Sequence, residues 1–329
     1  MARVAVLGSN SFAGAAFVDA ALAAGHEVLG INRSAEPSSI FLPYRKNARA
    51  SAYRFLQLDL NRDLQAICAA LGDFAPACLV DFAGQGMVAE SWRRPEQWYE
   101  TNILAKVKLH DFLRTQRGLV KYVRVSTPEV YGSTPHPIRE EQPYAPSTPY
   151  AVSHAAIDMS LSAFHRQYGF PVVLTRFANF FGPGQQLYRI VPRTIIYALI
   201  GRRLRLDGGG TSVRAFIHAR DVAAALLRVI ETGRPGETYH FSPNEFHTIR
   251  SVVEQICTQL GVELSSFVDV APERPGKDHA YLMDASRARA ELDWQPRTSF
   301  AEGIRQTIDW VRANLDEIRR LPLEYVHKP

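Results

Sequence analysis

The sequence predicts an α/β protein, a doubly wound parallel sheet with a smaller C-terminal α/β domain. Three observations carry this. Short apolar runs alternate with helical patterns through the first half, which argues for βαβ units. A glycine-bearing turn joins the first run to the first helix. After residue 179 the pattern loosens into glycine-rich turns, and 329 residues at roughly 150 per domain make about two domains.

Strands are expected at 3–7, 27–31, 54–58, 78–83, 121–126 and 172–176, each a short apolar run bounded by turn residues. Helices are expected at 13–24, closed by Gly25, at 95–115, at 148–168, at 219–232 and at 251–260. Residues 1–178 form the first domain, to which 214–242 return. Residues 179–213 and 243–329 form the second.

Composition narrows the function. With 46% hydrophobic and 22% charged residues the chain is an ordinary globule. Its net charge of +5 comes from scattered basic residues, which favours small anionic ligands and argues against nucleic acid. The three cysteines, Cys68, Cys78 and Cys257, show no CxxC spacing, and no HExxH occurs, so neither a disulfide framework nor a metal site is expected. Without a signal-like start or a membrane-length apolar run, the cytoplasm is the expected location and no membrane partner is expected.

Gly8-Ser9-Asn10-Ser11-Phe12-Ala13-Gly14 opens the first helix, where free backbone N–H groups and the helix dipole suit a dinucleotide pyrophosphate. This assigns Gly8, Asn10, Ser11, Phe12 and Gly14 to cofactor binding in a Rossmann fold, although the usual middle glycine is Ser11. The second strand ends in Asn32-Arg33-Ser34, without the acidic residue that holds a ribose 2′-hydroxyl. Arg33 can pair with a 2′-phosphate, which leans an NAD(P) site toward NADP; a solvated loop arginine is the other explanation. Asp59 is placed for the adenine end or for capping the turn at Asn61.

Ser126-Thr127-Pro128-Glu129-Val130-Tyr131-Gly132 follows the fifth strand, and Tyr150-Ala151-Val152-Ser153-His154 starts a helix. Four-residue spacing puts Tyr150 and His154 on one face. A tyrosine hydroxyl beside Thr127 can exchange a proton with a sugar hydroxyl while hydride moves to a nicotinamide. Asn179 ends the next strand, and Gln185, Tyr188 and Arg189 follow it toward the cleft between the domains.

With these motifs in order, the chain resembles the extended short-chain dehydrogenase/reductases that modify nucleotide-sugars, most closely the 4,6-dehydratase branch. The resemblance continues through Asp81 to Gln85, Tyr144 to Tyr150, Val213 to His218, Arg274 to Asp278 and Trp294 to Pro296. It implies that Thr127 and Tyr150 handle the C4 proton and that Glu129 is the base at C5. It adds Leu60, Ala83, Gly84, Gln85, Asn102, Ser126, Tyr150 and His154 to the cofactor contacts. Asn179, Arg214 and Arg274 would hold the nucleotide diphosphate, and a homodimer would form through the helices at 95–115 and 148–168, with Ala151, Ala155, Ala156 and Met159 on the contact.

Two departures from that family fall on the chemistry. His154 stands where the family has lysine, and Pro128 where dehydratases have the aspartate that protonates the leaving C6 hydroxyl. Glu129 can serve as both base and acid in an elimination that uses one side of the sugar. The expected activity is therefore a nucleotide-sugar 4,6-dehydratase working through a 4-keto sugar with internal hydride return. The alternatives are an epimerase using the same ketone, and a sensor that binds cofactor and nucleotide-sugar without turnover.

Overall fold

The computed structural model describes residues 2–273 and 278–328. The first strands are β1 (Arg3–Leu7), β2 (Glu27–Asn32), β3 (Tyr53–Gln57), β4 (Cys78–Asp81), β5 (Lys121–Ser126), β6 (Thr134–Ile138) and β7 (Val172–Phe177). They are followed by β8 (Asn179–Phe181), β9 (Leu204–Asp207), β10 (Val213–His218), β11 (Thr238–Phe241), β12 (Phe246–Thr248), β13 (Val268–Ala271) and β14 (Tyr281–Met283). Seven of them form one parallel sheet in the order β11-β7-β5-β4-β1-β2-β3. The strand order reverses between β1 and β4, and a crevice opens there beyond the carboxyl ends of the strands.

Both faces of this sheet are buried, and the two-residue period of a strand divides its side chains between them. Val4 and Val6 of β1 join the core that holds Phe17, Leu226 and Tyr239, whereas Ala5 and Leu7 join the one that holds Leu109, Tyr122 and Leu161. A third core, with Phe181, Ile195, Phe216, Ile256 and Ile304, lies under the small sheet β12-β10-β8. Strands β9 and β13 pair in parallel, as do β6 and β14.

The helices that position the site are α1 (Phe12–Ala23), α2 (Leu64–Phe74), α3 (Val88–Ser91), α4 (Pro95–Tyr99), α5 (Ala105–Leu113), α6 (Pro149–Tyr168), α7 (Ile190–Leu199) and α8 (Ala219–Thr232). Helix α6 is capped at both ends. Thr148 accepts from Ala151 N through its side chain, and Gly169 takes the left-handed conformation at the C-cap.

Three expectations change. The helix expected over 95–115 is broken: between α4 and α5 lies a π-helical turn, Glu100–Leu104. That wider turn carries Asn102 inward onto Gln85, a use to which such turns are often put. The return to the first domain begins later than residue 214. Residues 213–218 are β10 of the small sheet, and the returning elements are α8 and β11. Farther on, Ala285, Ala288, Leu292 and Trp294, which the sequence places in the second domain, pack into the first core, where Trp294 Nε1 donates to Asp221 O at 3.2 Å. Finally, Ala151 and Ala155 are 0% and 2% exposed and pack within the subunit, while Met159 is 55% exposed. Ala151 and Ala155 are thus covered within the subunit, Ala156 is half-buried, and Met159 alone of the expected contact residues is exposed.

Candidate active site

Backbone geometry at the crevice explains the first glycine. Gly8 has φ +77°, and a Cβ there would stand 2.9 Å from Ala83 N, so β1 and β4 approach as closely as they do only with glycine. Ser11 caps α1 by accepting from Gly14 N at 3.1 Å, which gives the residue in the middle-glycine position a role of its own. A Cβ on Gly14 would lie 2.7 Å from that same hydroxyl oxygen. Phe12 begins α1 and is buried.

Asn10 and Asn32 both donate to Ser34 O, at 3.2 and 3.1 Å, fixing the loop after β2. A cavity of about 110 Å³ lies between this loop and the ends of β1 and β4, lined by Gly8, Ser11, Asn32, Arg33, Asp59 and Gly84, with Leu60 and Ala83 also on its wall. Asp59 caps the turn at Asn61, its carboxylate accepting from Asn61 N at 2.8 Å, and it also lies on the cavity wall. The glycine cradle, the helix N-terminus and this cavity fit the adenosine diphosphate half of a dinucleotide.

Two of the expected cofactor contacts lie behind the crevice wall. Asn102 is fully buried; it accepts from Gln85 N at 2.7 Å and donates to Gln85 O and Ser153 Oγ. Its amide is used up in shaping the Gly84–Gln85 loop. Ser126 donates its hydroxyl to Asp158 Oδ2 at 2.6 Å, away from the cleft.

Above the sheet the catalytic candidates converge. Thr127 follows β5 and accepts from Glu129 N at 3.2 Å, capping the turn Pro128–Tyr131. The Tyr150 phenol hydrogen-bonds Thr127, while burial and the nearby Glu129 carboxylate push its pKa up. Burial also raises Glu129, against the pull of Arg214 and Arg189, to about 7. A carboxyl poised there serves equally as proton acceptor and donor at neutral pH. His154 packs on Tyr150 with ring centroids 4.5 Å apart. Burial and the charges of Arg124 and Lys106 keep the imidazole neutral.

Beneath them lies a buried charge network that the sequence reading missed. Asp81 Oδ2 accepts from Lys106 Nζ, from the Tyr122 hydroxyl at 2.7 Å and from Arg124 Nη1 at 3.3 Å. Arg176 Nη2 donates to Asp158 Oδ2 at 2.9 Å. The signal was present: Arg124 stands between Val123 and Val125, and Arg176 beside Phe177, in central strands whose residues must be buried.

On the substrate side, Tyr281 donates to Asn179 Oδ1 at 2.9 Å and lies under the Arg214 guanidinium at 4.1 Å. Arg214 also donates to the carbonyls of Val213, Asp278 and His279, which hold its guanidinium in place. Arg189 acts electrostatically on both Glu129 and Tyr150. Gln185 is less suited to ligand contact than expected, because it is buried and its Nε2 donates to Phe180 O at 2.7 Å. Arg274 lies outside the described residues.

The C-terminal segment also reaches this cleft, which nothing in the sequence reading foresaw. Tyr325 packs edge-on against Tyr188 with centroids 5.2 Å apart, and His327 stacks on Trp98 at 5.6 Å. Lys328 O accepts from Gln85 Nε2 at 2.8 Å and from Arg33 Nη2 at 3.1 Å, and Lys328 Nζ donates to Ser34 Oγ at 3.1 Å. Among the described residues no helix is long and apolar enough to cross a membrane.

Known proteins share this fold. Residues 6–307 match the GDP-mannose 4,6 dehydratase family. The dTDP-glucose 4,6-dehydratase of Streptomyces antibioticus is 34% identical, over 94% of this chain and 92% of its own. That of Xanthomonas campestris is 31% identical, over 95% and 94%. The crystal structure of the Streptomyces venezuelae dTDP-glucose 4,6-dehydratase with NAD and TYD bound superposes with a TM-score of 0.88 at 30% identity, covering 96% of this chain and 98% of that one. The UDP-glucose 4-epimerase of Thermus thermophilus, in complex with NAD, gives 0.85 at 29% identity, covering 94% and 99%. By fold, by the order of its motifs and by this near-full-length similarity, the chain belongs to the GDP-mannose 4,6 dehydratase family of the extended short-chain dehydrogenase/reductases.

Proposed function

We propose that this chain is a nucleotide-sugar 4,6-dehydratase, an NAD(P)-dependent lyase working through a 4-keto sugar with internal hydride return. One observation carries the proposal: Glu129, raised to about 7, sits within electrostatic reach of Tyr150, Arg189 and Arg214 at the crevice. The dTDP-glucose 4,6-dehydratases among its relatives support a dTDP-sugar as the first substrate to try.

A nicotinamide dinucleotide held at Gly8, Ser11 and Gly14 would supply the acceptor for the C4 hydride and its return to C6. Tyr150, with Thr127 as its hydrogen-bond partner, takes the proton of the C4 hydroxyl. The resulting ketone acidifies C5–H, and Glu129 removes that proton as the carboxylate. The protonated Glu129 then gives the same proton to the C6 hydroxyl, which leaves as water while the C5–C6 double bond forms. Solvent supplies the proton that finally returns to C5, and Tyr150 releases the C4 hydroxyl proton to solvent, which closes the cycle. The sum is loss of one water, with the C4 oxidation balanced by the C6 reduction. Glu129 thus does the work of two groups, which the proline at 128 makes necessary. Arg214 and Arg189 supply the positive potential that a diphosphate needs.

For the finer cofactor choice we propose NADP, on the lack of a carboxylate at the end of β2 and the presence of Arg33 in the cavity wall. A homodimer is proposed from the exposed apolar side chains of Leu104, Val152 and Met159 on the helices around the site; gel filtration tests it.

Pro128, with no proton to donate, favours a second reading, the epimerase, in which the leaving group stays and the ketone is reprotonated or reduced from the other face. The deciding experiment is incubation with a panel of nucleotide-sugars in deuterated water, followed by mass spectrometry. Deuterium at C5 with loss of water is the expected outcome. Deuterium without loss, or C4 inversion at unchanged mass, overturns dehydration in favour of epimerisation. Tight binding with no exchange for any sugar leaves only the sensor.

A further inference from the structure

One helical turn after Tyr150, His154 Nδ1 lies 3.1 Å from Nη2 of Arg124. A guanidinium keeps its protons throughout the pH range of folded proteins, so it is always the donor in this contact. Nδ1 must therefore offer its lone pair, and the ring's one proton resides on Nε2, which has no protein partner among the described residues.

We propose that Arg124 is a positioning residue for proton transfer at Tyr150: it fixes His154 as the neutral Nε2–H tautomer and supplies, from below, the permanent charge that favours the Tyr150 phenolate. The chemistry assigned to Tyr150 rests on the dehydratase reading, whereas the tautomer does not.

Orientation is what separates this role from simple ion pairing. Asp81 is already served by Lys106 and Tyr122, and its other oxygen accepts from Ala83 N at 3.0 Å. Arg124 shares the neutralisation of Asp81 with Lys106 and has a second Nη to spare. Its Nη1 rests near Asp81 Oδ2 and Ala83 O, at 3.3 and 3.4 Å, and this anchoring turns Nη2 toward the imidazole. Arg124 is fully buried on β5, and it and Tyr150 act on each other electrostatically, in the sense that favours the charged form of each. The charged groups facing His154 are Arg124 from β5, Lys106 from α5, Asp81 from β4 and Arg176 from β7. Those facing Tyr150 are Glu129, Arg189 and, from below, Arg124, with the Tyr281 phenol beside them. Protonating His154 would set two N–H groups against each other, so the imidazole is a fixed donor and not a titrating base.

The test begins on the unmutated full-length protein. Nitrogen-15 NMR of histidine-labelled chain is expected to show His154 as the Nε2–H tautomer, unchanged between pH 6 and 9 by the general behaviour of a neutral imidazole. An Nδ1–H tautomer or an imidazolium at pH 7 overturns the proposal whether or not any sugar is turned over. Conversely, the expected tautomer without turnover of any nucleotide-sugar defeats the dehydratase reading and leaves the Arg124–His154 relation standing. Arg124→Met is expected to move the acid limb of the kcat profile upward by about one pH unit. A lower kcat with an unmoved limb, the mark of a merely structural loss, counts against it. A pair of variants guards against misfolding. His154→Lys alone sets two cations in one buried contact and is expected to lower both kcat and melting temperature, each partly regained when Arg124→Met is added. Strictly additive effects overturn the coupling.

Discussion

Lys328 and Gln85, 243 residues apart in sequence, meet where the backbone carbonyl of one accepts from the side-chain amide of the other at 2.8 Å. Around that bond the last residues tie the cofactor-side loops to the substrate side: Glu324 accepts from the Tyr197 hydroxyl at 2.6 Å, and His327 Nε2 lies 2.6 Å from Gln97 Oε1. A chain ended after Leu321 loses all of these contacts and no buried core residue. It is expected to keep its circular dichroism spectrum but to release bound cofactor about tenfold faster, the scale set by losing a hydrogen bond or two. Stopped-flow fluorescence of cofactor release decides it; an unchanged rate removes the tail from the binding site.

Glu129→Gln is expected to lower turnover by about 10²–10⁴-fold, the worth of one general acid–base group. Its stability effect has a defined sign. Glu129 is raised from 4.5 to about 7, so the native state holds its proton where the unfolded chain has lost it. Wild-type stability is therefore undiminished below pH 4.5, falls as pH rises to about 7, and is level beyond. The variant should melt above wild type at pH 8, by an amount on the order of 1–3 kcal/mol, and with it at pH 4. Calorimetry at the two pH values checks both halves.

Gly8→Ala forces a left-handed backbone on a residue with a side chain and drives its Cβ toward Ala83 N. The expected cost is ~2 kcal/mol or more, with loss of dinucleotide binding. Isothermal titration of a still-folded variant that binds normally would contradict the cradle.

Pro128→Asp restores a proton donor next to Glu129. Aspartate suits the first position of a helical turn, where the free N–H groups lie. Dehydration is expected to rise about tenfold or more, read as the initial rate of keto-sugar formation. An unchanged rate shows that Glu129 alone suffices or that another step limits.

Arg33 lines the cavity at the ends of β1 and β2 and also donates to Lys328 O. NADP is expected to bind more tightly than NAD, and Arg33→Asp to reverse the order by about tenfold in each direction, since a carboxylate repels the 2′-phosphate and accepts from the 2′-hydroxyl. Paired dissociation constants settle it; tighter NAD binding to the wild type refutes the NADP preference.

The parallel sheet and the turn at Gly8 could be read directly, because strand period and turn chemistry are local properties that neighbouring residues impose on each other. Thr127 and Tyr150 were marked out by the turn after β5 and the start of one helix, whereas Glu129 was assigned only by the family resemblance. The contact between Arg124 and His154 was not legible, since it joins a strand to a helix 30 residues later and depends on how deeply each is buried. Nor was the turn that swings Asn102 onto Gln85, because the same residues satisfy an unbroken helix pattern. The sequence by itself determined the elements, their order and the chemical types brought to the crevice. Only the tertiary structure decided which charges share a buried space, and with that the neutral state of His154, the raised Glu129 and the placing of the tail. Burial and charge proximity are sums over distant parts of the chain, and no window of sequence contains them.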